Sequence, residues 1–199
     1  MPQISLTDLV DIVSKSGTPK AAKVAQVKAR PAYEPAFDFY KPFRDRIIDI
    51  HRDGEQKSAL NVFMASVTDA KKRTNYPSVV NGYKKWWGQK SLKWFVPRRT
   101  AYSKHGIEVI INPELGLDVN GARHLVKLYL KTDPLSKLRV DIITRLMEST
   151  LRPSCAKNEV MAVLDVRQAK LFSFQLTTPA SMAMIDAELA YIASLWPNT

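Results

Sequence analysis

The sequence predicts an α+β protein: a helical N-terminal part followed by a mostly antiparallel sheet of about five strands packed with two longer helices. Two observations predict it. Up to about residue 88, apolar residues recur every three or four positions, the spacing of one helix face. From Leu92 onward, short runs alternate with a period of two and end at turn residues. The change of period divides the chain into residues 1–90 and 91–199. No internal repeat is visible.

Each element follows from local signals. Ser5 is a fitting N-cap, with Asp8 three residues on; Leu6, Leu9, Val10 and Val13 form the stripe, and Gly17 ends it. Thr18-Pro19 opens a lysine-rich second helix with a thin apolar face. A third runs from about Asp38 to Arg52, with Tyr40, Phe43, Ile47 and Ile50 inward, and a fourth from about Gln56 to Val67. Lys71-Lys72-Arg73 falls in the link that follows, and a fifth helix starts near Pro77 and stops at Gly88.

The strands begin at Leu92–Val96. Ile107–Ile111 is the second, and residues 97–106 between them read as a long basic hairpin loop. Arg123–Lys131 places Val126, Leu128 and Leu130 on one face and Arg123, Lys127, Tyr129 and Lys131 on the other. Asp133-Pro134 caps a long helix reaching about Leu151. Val160–Val166 and Ala169–Leu176 form a hairpin, and Thr178-Pro179 starts a final helix striped by Ile185, Leu189 and Ile192.

Several function classes are excluded or disfavoured. The longest apolar runs are strand-sized, well short of the ~20 residues that span a bilayer, so no membrane partner is expected. The first residues have neither a basic stretch nor an apolar one, so no signal peptide is expected. Cys155 is the only cysteine, which leaves no intrachain disulfide and no cysteine-based zinc site and suits a reducing cytoplasm. There is no P-loop, dinucleotide glycine fingerprint or nucleophile elbow, so no cofactor is expected. His51, His105 and His124 are far apart and form no metal-binding spacing.

Charge carries the main signal. Thirty Lys and Arg against 19 Asp and Glu give a net +11, which calls for a polyanionic partner. No acidic residue occurs between Asp69 and Glu108. That window holds Lys71, Lys72, Arg73, Lys84, Lys85, Lys90, Lys93, Arg98, Arg99 and Lys104. It also holds Tyr76, Tyr83, Trp86, Trp87, Trp94, Phe95 and Tyr102. Cations interleaved with aromatics suit phosphate contact plus base stacking. The helical stripe, however, puts Val79, Val80, Tyr83, Trp86 and Trp87 within one arc, a core arrangement that leaves Lys84 and Lys85 outside. Arg98 and Arg99 offer planar forks for phosphate. Arg123, Lys127 and Lys131, on the face of their strand that reads as polar, make a second basic patch.

The first expectation is therefore a cytoplasmic nucleic-acid-binding protein without catalysis. A second is a Mg²⁺-dependent nuclease-like enzyme centred on Asp165, at the end of an apolar strand, with Glu108, Glu114 or Asp118 as the further carboxylate it would need. The plain alternative for Asp165 is an ion pair with Arg167 or Lys170. A third is a scaffold or accessory subunit whose basic surface meets an acidic protein.

Overall fold

A central five-stranded sheet lies between two helical layers in the computed structural model, which describes every residue except 32, 177–179 and 199. The chain enters through β1 (Gln3–Ser5), α1 (Leu6–Val13) and α2 (Gly17–Lys28). A 3-10 turn at Pro35–Phe37 leads to α3 (Lys41–Arg52), α4 (Ala59–Ser66) and α5 (Ala70–Trp87). Then come β2 (Leu92–Phe95), β3 (Thr100–Lys104), β4 (Ile107–Ile111), β5 (Leu115–Val119) and β6 (Ala122–Tyr129). Helix α6 (Lys137–Leu151), β7 (Val160–Asp165), β8 (Lys170–Ser173) and α7 (Ala180–Leu195) complete the chain. This is the α+β architecture the periodicity predicts, with helices preceding the sheet.

The main sheet has the order β2-β5-β6-β7-β8 and is antiparallel except for the β6–β7 pair. A second sheet, β1-β4-β3, has β1 parallel to β4. Two apolar clusters occupy the two faces of the main sheet. Phe43, Ile47, Leu60, Tyr76, Val80 and Tyr83 of α3–α5 meet Leu117, Val126, Leu128 and Leu164. On the opposite face, α1, α2, α6, α7 and the second sheet meet Leu125, Met161 and Val163. Both clusters draw residues from before and after residue 90.

Four elements depart from the sequence reading, one of them β5, a strand of the main sheet that the sequence reading did not predict. Helix α5 starts seven residues before Pro77, because Asp69 accepts a hydrogen bond from the Lys72 amide at 2.8 Å and caps it there. Lys71-Lys72-Arg73 is thus the first turn of a helix and not a link. Residues 100–104, expected in a loop, pair with β4 as β3, so only residues 96–99 connect β2 to β3. Strand β1 is too short to show a period in sequence and gains its backbone partners only from β4. The capping box of α1 is as predicted: Ser5 Oγ accepts from the Asp8 amide at 3.0 Å, and Asp8 returns to the Ser5 amide. The Thr178-Pro179 start predicted for α7 lies outside the described residues.

Helix α5 is seated on the β7–β8 turn. A Cβ on Gly82 would stand 1.9 Å from the Val166 carbonyl oxygen, so only glycine permits this approach. Phe95 uses Gly116 in the same way, its ring folding over the directly paired glycine.

Candidate nucleic-acid interface

Most of the acidic residues of the helical half form ion pairs nearby. Asp8 pairs with Arg30, Asp38 with Arg44, Asp45 with Lys41, Glu55 with Arg46, and Asp49 and Asp53 with Arg52. Burial pushes the Asp8 carboxyl upward, but hydrogen bonds from Arg30 and Ser5 and the Arg30 charge outweigh it and hold the group below its ordinary value. These pairs lie on α1 and α3 and their flanks. They leave the cations of α5 and β2 uncovered.

Among the described residues, Lys71, Lys72, Arg73, Lys84, Lys85, Lys90, Lys93, Arg98 and Arg99 have no carboxylate within 4.0 Å. They fall into two sets. Three hold a neutral oxygen: Lys84 reaches Asn61 Oδ1 at 2.7 Å, Lys90 the Trp86 carbonyl, and Arg98 the Ser154 carbonyl. Lys57, which lies outside the acid-free window, likewise donates to a neutral oxygen, the Gly88 carbonyl, at 2.6 Å. Lys57 and Lys90 together cap the negative end of α5. The side chains of Lys71, Lys72, Arg73, Lys85, Lys93 and Arg99 make no polar contact among the described residues.

Lys71, Lys72 and Arg73 occupy the positive end of the α5 dipole, where a cation costs rather than contributes stability. The Asp69 carboxylate caps this end through the Lys72 amide but lies beyond 4.0 Å from the three cationic groups. Lys85 stands near the other end of the helix. Residues 72 and 85 are separated by roughly 20 Å along the axis at ~1.5 Å per residue. Lys93 projects from β2, the edge strand of the main sheet, and Arg99 follows in the exposed link.

The three cations of the second predicted patch are each tied into an ion pair. Lys127 is 7% exposed and pairs with Glu114 at 2.7 Å, with further bonds to Asn112. Arg123 pairs with the buried Glu159 at 3.1 Å and lies 4.0 Å over the Phe95 ring. Lys131 pairs with Asp11, and Tyr129 is buried. The physical reason is that from Leu125 onward β6 is covered on both faces, by α3–α5 on one and by the α6 layer on the other. Lys104, the last cation of the window, faces Asp186 at 3.8 Å.

The aromatics of the window pack into the two cores or against them, Trp87 and Trp94 half-buried on one and Phe95 and Tyr102 half-buried on the other. Tyr76, Tyr83 and Trp86 are buried, and Tyr76 packs among Phe39, Phe43 and Phe63. Trp87 lies 4.5 Å from the ring of His51. His51 itself is buried, 2.6 Å from the Tyr83 hydroxyl, and desolvation lowers its pKa to about 4, so it is neutral near pH 7. His124 Nδ1 lies 2.8 Å from the Ala122 carbonyl, a local contact at the start of β6.

Asp165 is buried at the end of β7, where its Oδ1 accepts from the Gln168 amide at 3.1 Å and fixes the turn to β8. Neither expected ion pair forms: Arg167 bonds the Leu130 carbonyl, Ser78 and Tyr40, and Lys170 lies over Phe172. The carboxylates it would need as metal partners are engaged elsewhere, Glu108 with Gln3, Glu114 with Lys127 and Asp118 with the Gly121 amide. Among the described residues, no group of three or more His, Cys, Asp or Glu is placed to hold a metal ion. No described helix is long and apolar enough to cross a membrane. Comparison with family models, curated proteins and solved structures finds no match to this chain.

Lys57 and Glu159 escaped the sequence reading. Lys57 lies outside the acid-free window, and its link to Gly88 is purely tertiary. Glu159 sits next to the apolar run 160–164, a position that could have marked it as a buried partner for a basic residue.

Proposed function

We propose that this chain is a non-catalytic nucleic-acid-binding protein of the cytoplasm. It holds the phosphate backbone through Lys71, Lys72 and Arg73 at one end of α5, Lys85 near the other, and Lys93 and Arg99 beyond. One observation carries the reading: none of these six cations has a carboxylate within 4.0 Å among the described residues, while Arg30, the Lys and Arg residues of α3 and the buried Lys127 are ion-paired. A surface so arranged leaves an uncompensated positive field that a polyanion can neutralise.

With Tyr76, Tyr83 and Trp86 buried and the other window aromatics packed against the cores, the reading rests on phosphate contacts and not on base stacking. Binding is through phosphates and is largely indifferent to sequence. Asp165, occupied in a turn, lends no support to a cleavage step. The test is a fluorescence-anisotropy titration with labelled duplex DNA at rising salt. If four to six phosphates are neutralised, log K falls against log salt with a slope of roughly −3.5 to −5. No binding at low salt, or a flat slope, removes the reading.

A further inference from the structure

Strand β8 ends the main sheet, and its outer edge carries no neighbouring strand. The register with β7 and the Phe174 amide bonded to the Met161 carbonyl at 2.7 Å fix which residues face inward. Lys170, Phe172 and Phe174 exchange ladder bonds with β7. Leu171 and Ser173 therefore turn their N–H and C=O groups outward. Among the described residues, neither outward pair has a hydrogen-bond partner.

A groove of about 560 Å³ runs along this edge. Leu135 and Val140 line it from the α6 side, Leu171 and Phe172 from β8. Two exposed cations flank it: Lys137 in the first turn of α6 and Lys170 at the start of β8. Neither has a carboxylate within 4.0 Å among the described residues. Asp141, one helical turn beyond Lys137, is the acidic residue of the lining.

An unpaired strand edge beside a helix, with an apolar floor between them, is the geometry that accepts an extended peptide as an added strand. Main-chain bonds to Leu171 and Ser173 would hold it, and alternate side chains would enter the groove. Charge decides the occupant. A second copy of this chain would bring another +11 and set its own Lys170 against this edge. An acidic segment would meet Lys137 and Lys170. We propose that the β8 edge and the α6 groove form a docking site for an extended acidic peptide of a partner protein, with apolar residues at alternate positions. The site is separate from the cations of α5 and β2, so it stands whether or not the chain binds nucleic acid.

The experiment is selection of a displayed random-peptide library against the full-length protein, freed of nucleic acid, at physiological salt. The expected winners are acidic peptides with alternating apolar residues. Their binding slows hydrogen exchange at the Leu171 and Ser173 amides by at least tenfold. Ser173→Pro removes one outward amide without touching the β7 ladder and should abolish binding. A Lys137→Glu, Lys170→Glu double variant leaves the edge intact and should weaken binding at least tenfold. Wild-type stability of both variants by thermal unfolding shows that loss of binding is local; should Ser173→Pro unfold, the charge variant and the exchange pattern decide. The proposal is overturned by any of four results: no enrichment, winners that are basic, winners whose binding ignores the charge variant, or sedimentation showing that a second copy occupies this edge.

Discussion

Lys127 and Glu114 form an ion pair 2.7 Å long beneath the helices that cover β6, with side chains only 9% and 14% exposed. Glu114 also accepts from the Leu128 amide at 2.7 Å, so the pair ties the link before β5 to the middle of β6. Its position separates the cations that build the fold from those that face solvent.

Removing Lys127 would strand a buried carboxylate. Lys127→Met should destabilise by about 3 kcal/mol, and adding Glu114→Gln should recover part of that loss. Lys93→Gln, at an exposed edge position, should stay within about 0.5 kcal/mol. Urea unfolding of the four proteins checks this. Equal effects of Lys127→Met and Lys93→Gln would contradict the burial of the pair.

Gly82 is the second sensitive position. Its Cβ would collide with the Val166 carbonyl, which belongs to backbone and cannot rotate aside. Gly82→Ala should cost about 3 kcal/mol, despite alanine's better helix propensity. The expected sign in thermal unfolding is a lower Tm; a raised Tm would mean that α5 is not seated on the β7–β8 turn.

His51 predicts a pH dependence. Its folded pKa, about 4, lies below the ordinary 6.5, so the unfolded chain takes up the proton first. Stability should therefore fall as the pH drops from about 6.5 towards 4, by up to about 3 kcal/mol. Asp8 and Asp38 are held below their ordinary 3.8, so their contribution is lost only at still lower pH. Urea midpoints measured at pH 7, 5.5 and 4.5 should decline in the wild type and decline less in His51→Gln. A wild type equally stable across this range would refute a buried neutral His51.

Local chemistry made much of this legible. The Ser5–Asp8 box, the stripe of α3 and the hairpin β7–β8 are all readable from neighbouring residues. The covered second face of β6 was not, because alternation reports polarity and not what packs against it. Leu125, on the same parity as Arg123 and Lys127, was the available sign, together with the unbroken apolar run of β7. The location of the basic window was visible as a gap in acidic residues. Which of its cations are tied down depends on tertiary partners such as Asn61 and Ser154, which no spacing reveals.

The central claim is that the uncompensated cations, and not net charge, bind nucleic acid. The most direct measurement compares two variants of equal charge loss in salt titrations with the same duplex. One changes Lys71, Lys85, Lys93 and Arg99 to Gln; the other changes the ion-paired Arg30, Lys41, Arg46 and Arg52 to Gln. The first should shrink the magnitude of the salt slope by about 0.9 for each duplex phosphate no longer neutralised, on every sequence tried. The second should leave the slope close to wild type. Equal losses of affinity and slope in the two variants would contradict a located phosphate-binding surface on α5 and β2.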